Sequence, residues 1–175
     1  ANNIEIFYPH GAVKDSFSLS PKKINDRKYD ILYTTFVDDV IHPDRSAWIL
    51  KLCELAEKYK VKIVSHASIS DYHEFLQDSK LAFSHQRFGE MSIRIYEYAS
   101  QGTVTIETGA ESGKYFLPNE EYIPVTKENI EMQVKKYLEN EDLLQIMSER
   151  AYKKALDKYE PRKLFTELLE VSIRS

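Results

Sequence analysis

Short β-rich runs that are apolar on both faces recur along this chain, each followed by a segment of helical spacing, and this alternation restricts the fold more than any other feature. The clearest run covers 29–37, where Ile31, Leu32, Tyr33, Phe36 and Val37 are too continuous for a strand with one wet face. Behind it Trp48, Leu52, Leu55 and Tyr59 fall on one helical stripe, with Asp44 placed to cap that helix. Further strands are expected at 61–64, 81–84 and 104–107, with helices at 71–77 and 91–101, the second ended by Gly102. A helical turn is expected at 114–116. Pro124 assigns the strand at 122–125 to a sheet edge, because proline cannot donate to a central ladder. Thr126 is placed to cap a helix carrying Ile130, Val134, Tyr137 and Leu138, and helices at 142–158 and 161–173 close the chain, with Pro161 suited to a first helical position.

Strands alternating with helices imply βαβ crossovers, hence an α/β, Rossmann-like domain: a doubly wound, mainly parallel sheet with C-terminal helices. That domain is expected over 29–175. Residues 1–28, with a short strand at 4–8 and an aperiodic stretch of Pro, Gly, Ser and charge at 9–28, are expected to form an interdomain linker. In such sheets ligands bind at the carboxyl ends of the strands, so the loops after 37, 64, 84 and 107 are where function belongs.

Composition narrows the classes. With 24 Lys and Arg against 28 Asp and Glu, the net charge of -4 argues against a nucleic-acid binder, whose phosphate contacts need a basic excess. Cys53 is the only cysteine, which rules out an internal disulfide and a Cys-based zinc site and fits a cytoplasmic location. No apolar run approaches the ~20 residues that span a bilayer. His10, His42, His66, His73 and His85 show no metal-ligand spacing, and neither a P-loop nor a nucleophile elbow is present. The chain lacks an initiator Met, the expectation being a piece of a longer protein.

The most informative stretch is 87–109. Glu90, Arg94 and Glu97 share one helical face while Met91, Ile95, Tyr98 and Ala99 take the opposite one; from spacing alone that polar face is an ordinary solvated one, tied by ion pairs of ~0.2–0.5 kcal/mol. The turn Thr108-Gly109-Ala110 follows a strand and precedes a helical turn, so its amides can meet an anion, or it is a plain turn that uses Gly for positive φ. Arg45 at the head of the first helix is by itself a surface residue. The loop after 64 carries His66 and Ser68, and a lone His there is more often structural. Asp38-Asp39 after the first strand is read as a solvated loop, below it a receiver-like magnesium site or an Asp-x-Asp motif. The third strand, Leu81-Ala82-Phe83-Ser84, lacks the Asp that a receiver needs.

The run Arg94-x-x-Glu97-x-Ala99-x-x-Gly102, followed by a strand and the Thr108-Gly109 turn, resembles the C-terminal, nucleotide-sugar-binding half of GT-B glycosyltransferases, in particular the group 1 and spore-maturation-protein-like families with their R-x-F-E-x-x-A-x-G pattern. Weaker similarity extends over Pro9-His10-Gly11, Arg45, 116–122 and Tyr159-Glu160-Pro161-Arg162, and so over nearly the whole chain. Two positions depart from it: Gly89 stands where retaining enzymes carry a first Glu, with Glu90 one residue late, and Tyr98 replaces a small residue. The resemblance implies a metal-independent glycosyltransferase whose Glu97 binds the donor's ribose. It places the diphosphate at Thr108, Gly109 and Ala110, with Arg94 and Arg45 neutralising it, and the base beside His66 and Ser68. No cofactor is implied beyond the donor, a UDP-, GDP- or other NDP-sugar. The partner would be an N-terminal acceptor-binding domain of the same enzyme, without which the 175 residues are expected to be inactive. The rival readings are a non-catalytic Rossmann-like interaction module and a receiver-like signalling domain.

Overall fold

The computed structural model describes residues 20–35, 43–86 and 92–174. Five strands form one parallel sheet in the order β2-β1-β3-β4-β5: β1 Tyr29–Thr34, β2 Val61–Val64, β3 Ser79–Ser84, β4 Val104–Glu107 and β5 Tyr122–Pro124. The chain leaves β1 toward one edge, returns to its other side as β3, and thus puts the topological switch between β1 and β3. β5 is an edge strand, as Pro124 requires.

Helices cover both faces: α1 Pro43–Leu55, α2 Ile69–Gln77, α3 Arg94–Ser100, α4 Ile130–Leu138, α5 Glu141–Lys158 and α6 Pro161–Arg174. Period-two alternation sorts the strand side chains between the two layers. Ile31, Tyr33, Leu81, Phe83, Val104 and Ile106 meet Trp48, Leu52 and Leu55 of α1 and Ile130, Val134 and Tyr137 of α4. Leu32 and Ala82, one residue out of phase, meet Leu76 of α2 and Tyr98 of α3. Each of these large apolar side chains is at most 5% exposed, and burial of that completeness is worth about 1.5–3 kcal/mol per side chain.

Several element ends differ from the sequence reading. α1 begins at Pro43, so Asp44 lies in its first turn and pairs with His85 instead of capping. Thr126 does not cap α4, because a turn intervenes: Asn129 takes the cap position, and its Oδ1 accepts from Thr126 N–H at 2.8 Å. The helical turn expected at 114–116 forms three residues earlier, as a 3-10 turn at Glu111–Lys114. α3 spans Arg94–Ser100, shorter than 91–101, and Gly102 follows it at φ 64, a left-handed conformation that L side chains resist. Ahead of β1, Ile24 is fully buried in the core and Arg27 donates to the carbonyls of Ser79 (2.8 Å) and Lys22. Burial lowers Arg27 to about 10, with Asp78 pulling the other way. The strand expected at 4–8, the Pro9-His10-Gly11 segment, Asp38-Asp39 and the positions Gly89, Glu90 and Met91 lie outside the described residues. Among the described residues no helix is long and apolar enough to cross a membrane.

Candidate functional site

Two cavities open at the carboxyl edge of the sheet, one on each side of the end of β3. The first, about 460 Å³, is lined by the ends of β1 and β2 (Thr34, Thr35, Val64), the loop and first turn of α2 (His66, Ser68, Ile69, Tyr72), and Ile93, Arg94 and Glu97 of α3. The second, about 500 Å³, lies at the ends of β4 and β5 and includes Glu107, Thr108, Gly109, Ala110, Asn129 and Gln133.

The sequence candidates are therefore divided. Glu97, Arg94, His66 and Ser68 converge on the first cavity, whereas Thr108, Gly109 and Ala110 line the second; Arg45, in the first turn of α1, lines neither. The fold explains the split. α3 runs back from the carboxyl edge, so its first turn carries Arg94 and Glu97 there, and β4 then returns to that edge one strand further along.

Of the face expected to be polar, Arg94 and Glu97 are half-buried, while Ile95, Tyr96, Tyr98 and Ala99 are buried against the sheet and α5. The Tyr72 hydroxyl donates to Glu97 Oε2 at 2.7 Å. Arg94 Nη1 donates to the backbone carbonyl of Thr34, which ties α3 to the end of β1. His66, two residues past the end of β2, has φ 86, uncommon outside glycine, and its Nδ1 lies 3.0 Å from Ser65 Oγ. Ser68 has a structural task as well: its Oγ accepts from Asp71 N–H at 3.1 Å and caps α2, whose amide end faces this cavity with partial positive charge.

Sequence reasoning missed the residues that seat the second cavity. His85, after β3, is held at both nitrogens: Nδ1 to Thr108 Oγ1 at 2.8 Å and Nε2 to Asp44 Oδ2 at 2.6 Å. Thr108 Oγ1 also accepts from Gln86 N–H at 3.1 Å, so that hydroxyl is already engaged. Gln86 continues under the turn, its Nε2 donating to Ser112 Oγ at 3.0 Å, and a Cβ on Gly109 would come within 1.4 Å of its Oε1. Gly109 is thus required by close approach and not by positive φ. Beneath the same turn Glu107 is fully buried, and burial pushes its carboxyl up to about 7. Ser112, Gln86 and Ser84 pull in the opposite direction, yet none reaches its oxygens with hydrogen-bond geometry. A signal for it was present: an acidic residue ending an otherwise β-branched run read as a strand. Among the described residues, no group of three or more His, Cys, Asp and Glu side chains is placed to hold a metal.

Comparison with known proteins follows this geometry. Residues 36–170 match the profile of a family described as glycosyl transferase-like. A search of the curated proteins finds no match. Among solved structures, Anabaena Alr3699/HepE in complex with UDP and glucose superimposes with TM-score 0.70 at 9% identity, over 94% of this chain and 56% of that one. TarM of S. aureus, in a complex containing UDP, gives TM-score 0.67 at 12% identity over 91% of this chain and 38% of its own. The C-terminal domain of LpcC, a glycosyl transferase group 1 family protein of Francisella tularensis, gives 0.62 at 12% over 86% of this chain and 99% of that domain. The present chain spans only 37–54% of the length of TarM and of a Rickettsia africae glycosyltransferase, each matched at 12–16% identity. The family match covers well over half of the sequence and the superpositions agree on its fold: the chain belongs to the glycosyl transferase-like family and has the architecture of the C-terminal domain of GT-B glycosyltransferases.

Proposed function

We propose that this chain is the donor-binding part of a glycosyltransferase, holding a nucleotide-diphosphate sugar along the carboxyl edge of its sheet. One observation carries the reading: Glu97 stands half-buried in an open cavity at the strand ends, an acceptor suited to paired sugar hydroxyls. In this reading the base lies against the loop of His66 and Ser68, between the apolar walls Val64, Ile69 and Ile93, and Glu97 takes the ribose. The diphosphate extends past the end of β3 toward the amides of Thr108, Gly109 and Ala110. Arg94 has N–H groups beyond the one given to Thr34, and they stabilise the leaving diphosphate without a metal ion. Arg45 plays no part in the donor site of this reading. The acceptor and the catalytic base come from an N-terminal domain of the same enzyme, so the 175 residues bind donor and transfer nothing by themselves.

Calorimetric titration of the full chain with UDP, GDP and their sugars tests this. One of these nucleotides binds the parent protein, and Glu97→Ala weakens it by about tenfold or more, ~1.4 kcal/mol. Equal binding by parent and E97A contradicts the proposal, as does no binding of any of them.

A further inference from the structure

We propose that Tyr72 is the positioning residue for Glu97, pinning one carboxylate oxygen so that the carboxylate meets a pair of ligand hydroxyls in one fixed orientation. The inference rests on the reading that Glu97 binds sugar hydroxyls and adds to it the residue that makes the contact selective.

A glutamate on an exposed helical turn samples several rotamers, and a vicinal diol is matched only when both oxygens are presented together. Here the Tyr72 O–H donates to Oε2 at 2.7 Å, a charge-assisted bond that leaves Oε1 and the second lone pair of Oε2 for a ligand. Donor and acceptor come from different helices, α2 and α3, and both side chains line the first cavity. The tyrosine ring is a firm mount. It packs with Val64 and Phe75 against the cluster of Leu32, Leu76, Ala82 and Tyr98, and the Ser68 cap fixes the start of its helix. Arg94, the cation on the same helix as Glu97, is drawn to the Thr34 carbonyl, which leaves the phenol as the group that orients the carboxylate. The phenol also keeps its proton: burial, then the Tyr98 phenol and the Glu97 carboxylate, raise its pKa well above the ordinary tyrosine value, so it remains a donor throughout the physiological range.

The test compares UDP with 2′,3′-dideoxy-UDP, which keeps the diphosphate and base and lacks the hydroxyls, on the full parent chain, Tyr72→Phe and Glu97→Ala, with a thermal melt of each. The parent prefers UDP by about tenfold or more, E97A loses the preference, and Y72F reduces it roughly threefold or more while its affinity for the dideoxy nucleotide and its melting temperature stay near parental values. A general structural contact would instead weaken both nucleotides equally, and that result in Y72F overturns the inference. Loss of the preference in E97A with full retention in Y72F overturns this inference alone. Where GDP and not UDP binds the parent, GDP and its dideoxy form take their place; an unchanged preference in E97A, or binding of neither UDP nor GDP by the parent, overturns it together with the donor-site reading.

Discussion

Glu107 ends β4 with both carboxyl oxygens closed off from water, and burial holds its pKa at about 7 against an ordinary 4.5. The folded protein therefore binds this proton more tightly than the unfolded chain does. Its contribution to stability is complete below about pH 4.5 and is lost as the pH rises through about 7, on the order of 3 kcal/mol in all. Glu107→Gln keeps the shape and abolishes the titration. Thermal melts between pH 4.5 and 8 are expected to show the parent losing stability relative to E107Q across that window; parallel curves would contradict the assignment. At this scale the sequence was only partly legible. Glu97 and Arg94 stand out by resemblance; spacing alone places them on one helical face, because a helix puts i and i+3 together without reference to the rest of the fold, and reads that face as a solvated one. Tyr72 could not, since its value lies in reaching a residue 25 positions away on another helix. Nor could the sequence show that the Thr108 hydroxyl is engaged by His85 and Gln86, since both partners lie more than 20 positions away and meet it only through the pairing of β3 with β4.

Elements were legible where their burial is simple. β4 falls at 104–107 as read, because a strand enclosed on both faces leaves a β-branched run, and β2 falls at 61–64 as read although it is a half-buried edge strand interrupted by Lys62. Helix starts were less so. Where a helix starts depends on a turn of backbone, and at α4 that turn moves the cap position from Thr126 to Asn129, whose side chain reaches back to the Thr126 amide instead of capping the helix. The stop of α3 was legible because Gly102 has two reasons to be glycine: φ 64, and a Cβ that would lie 2.5 Å from Pro21 Cβ. Gly102→Ala is expected to cost ~2 kcal/mol or more, read as a lower urea midpoint with an unchanged m-value. A midpoint equal to the parent's would show that residues 20–22 give way without resistance.

For the molecule as a whole, strand order decides what the site can be. A doubly wound sheet gathers the ends of five strands at one edge, and the end of β3, followed by His85 and Gln86, stands between the two cavities that the sequence had treated as one site. That division was not legible because residues 97 and 108 are near in sequence, and only the return of β4 beyond β3 carries them apart. The central claim, a nucleotide held at Glu97 and the head of α2, is tested most directly by mapping backbone amide shifts of the 175-residue chain during titration with UDP and, separately, with GDP. The account predicts saturable shifts centred on 64–72 and 93–97, extending to 108–110 and lost in Glu97→Ala. Shifts confined to surfaces away from these segments, or none at saturating nucleotide, would contradict it.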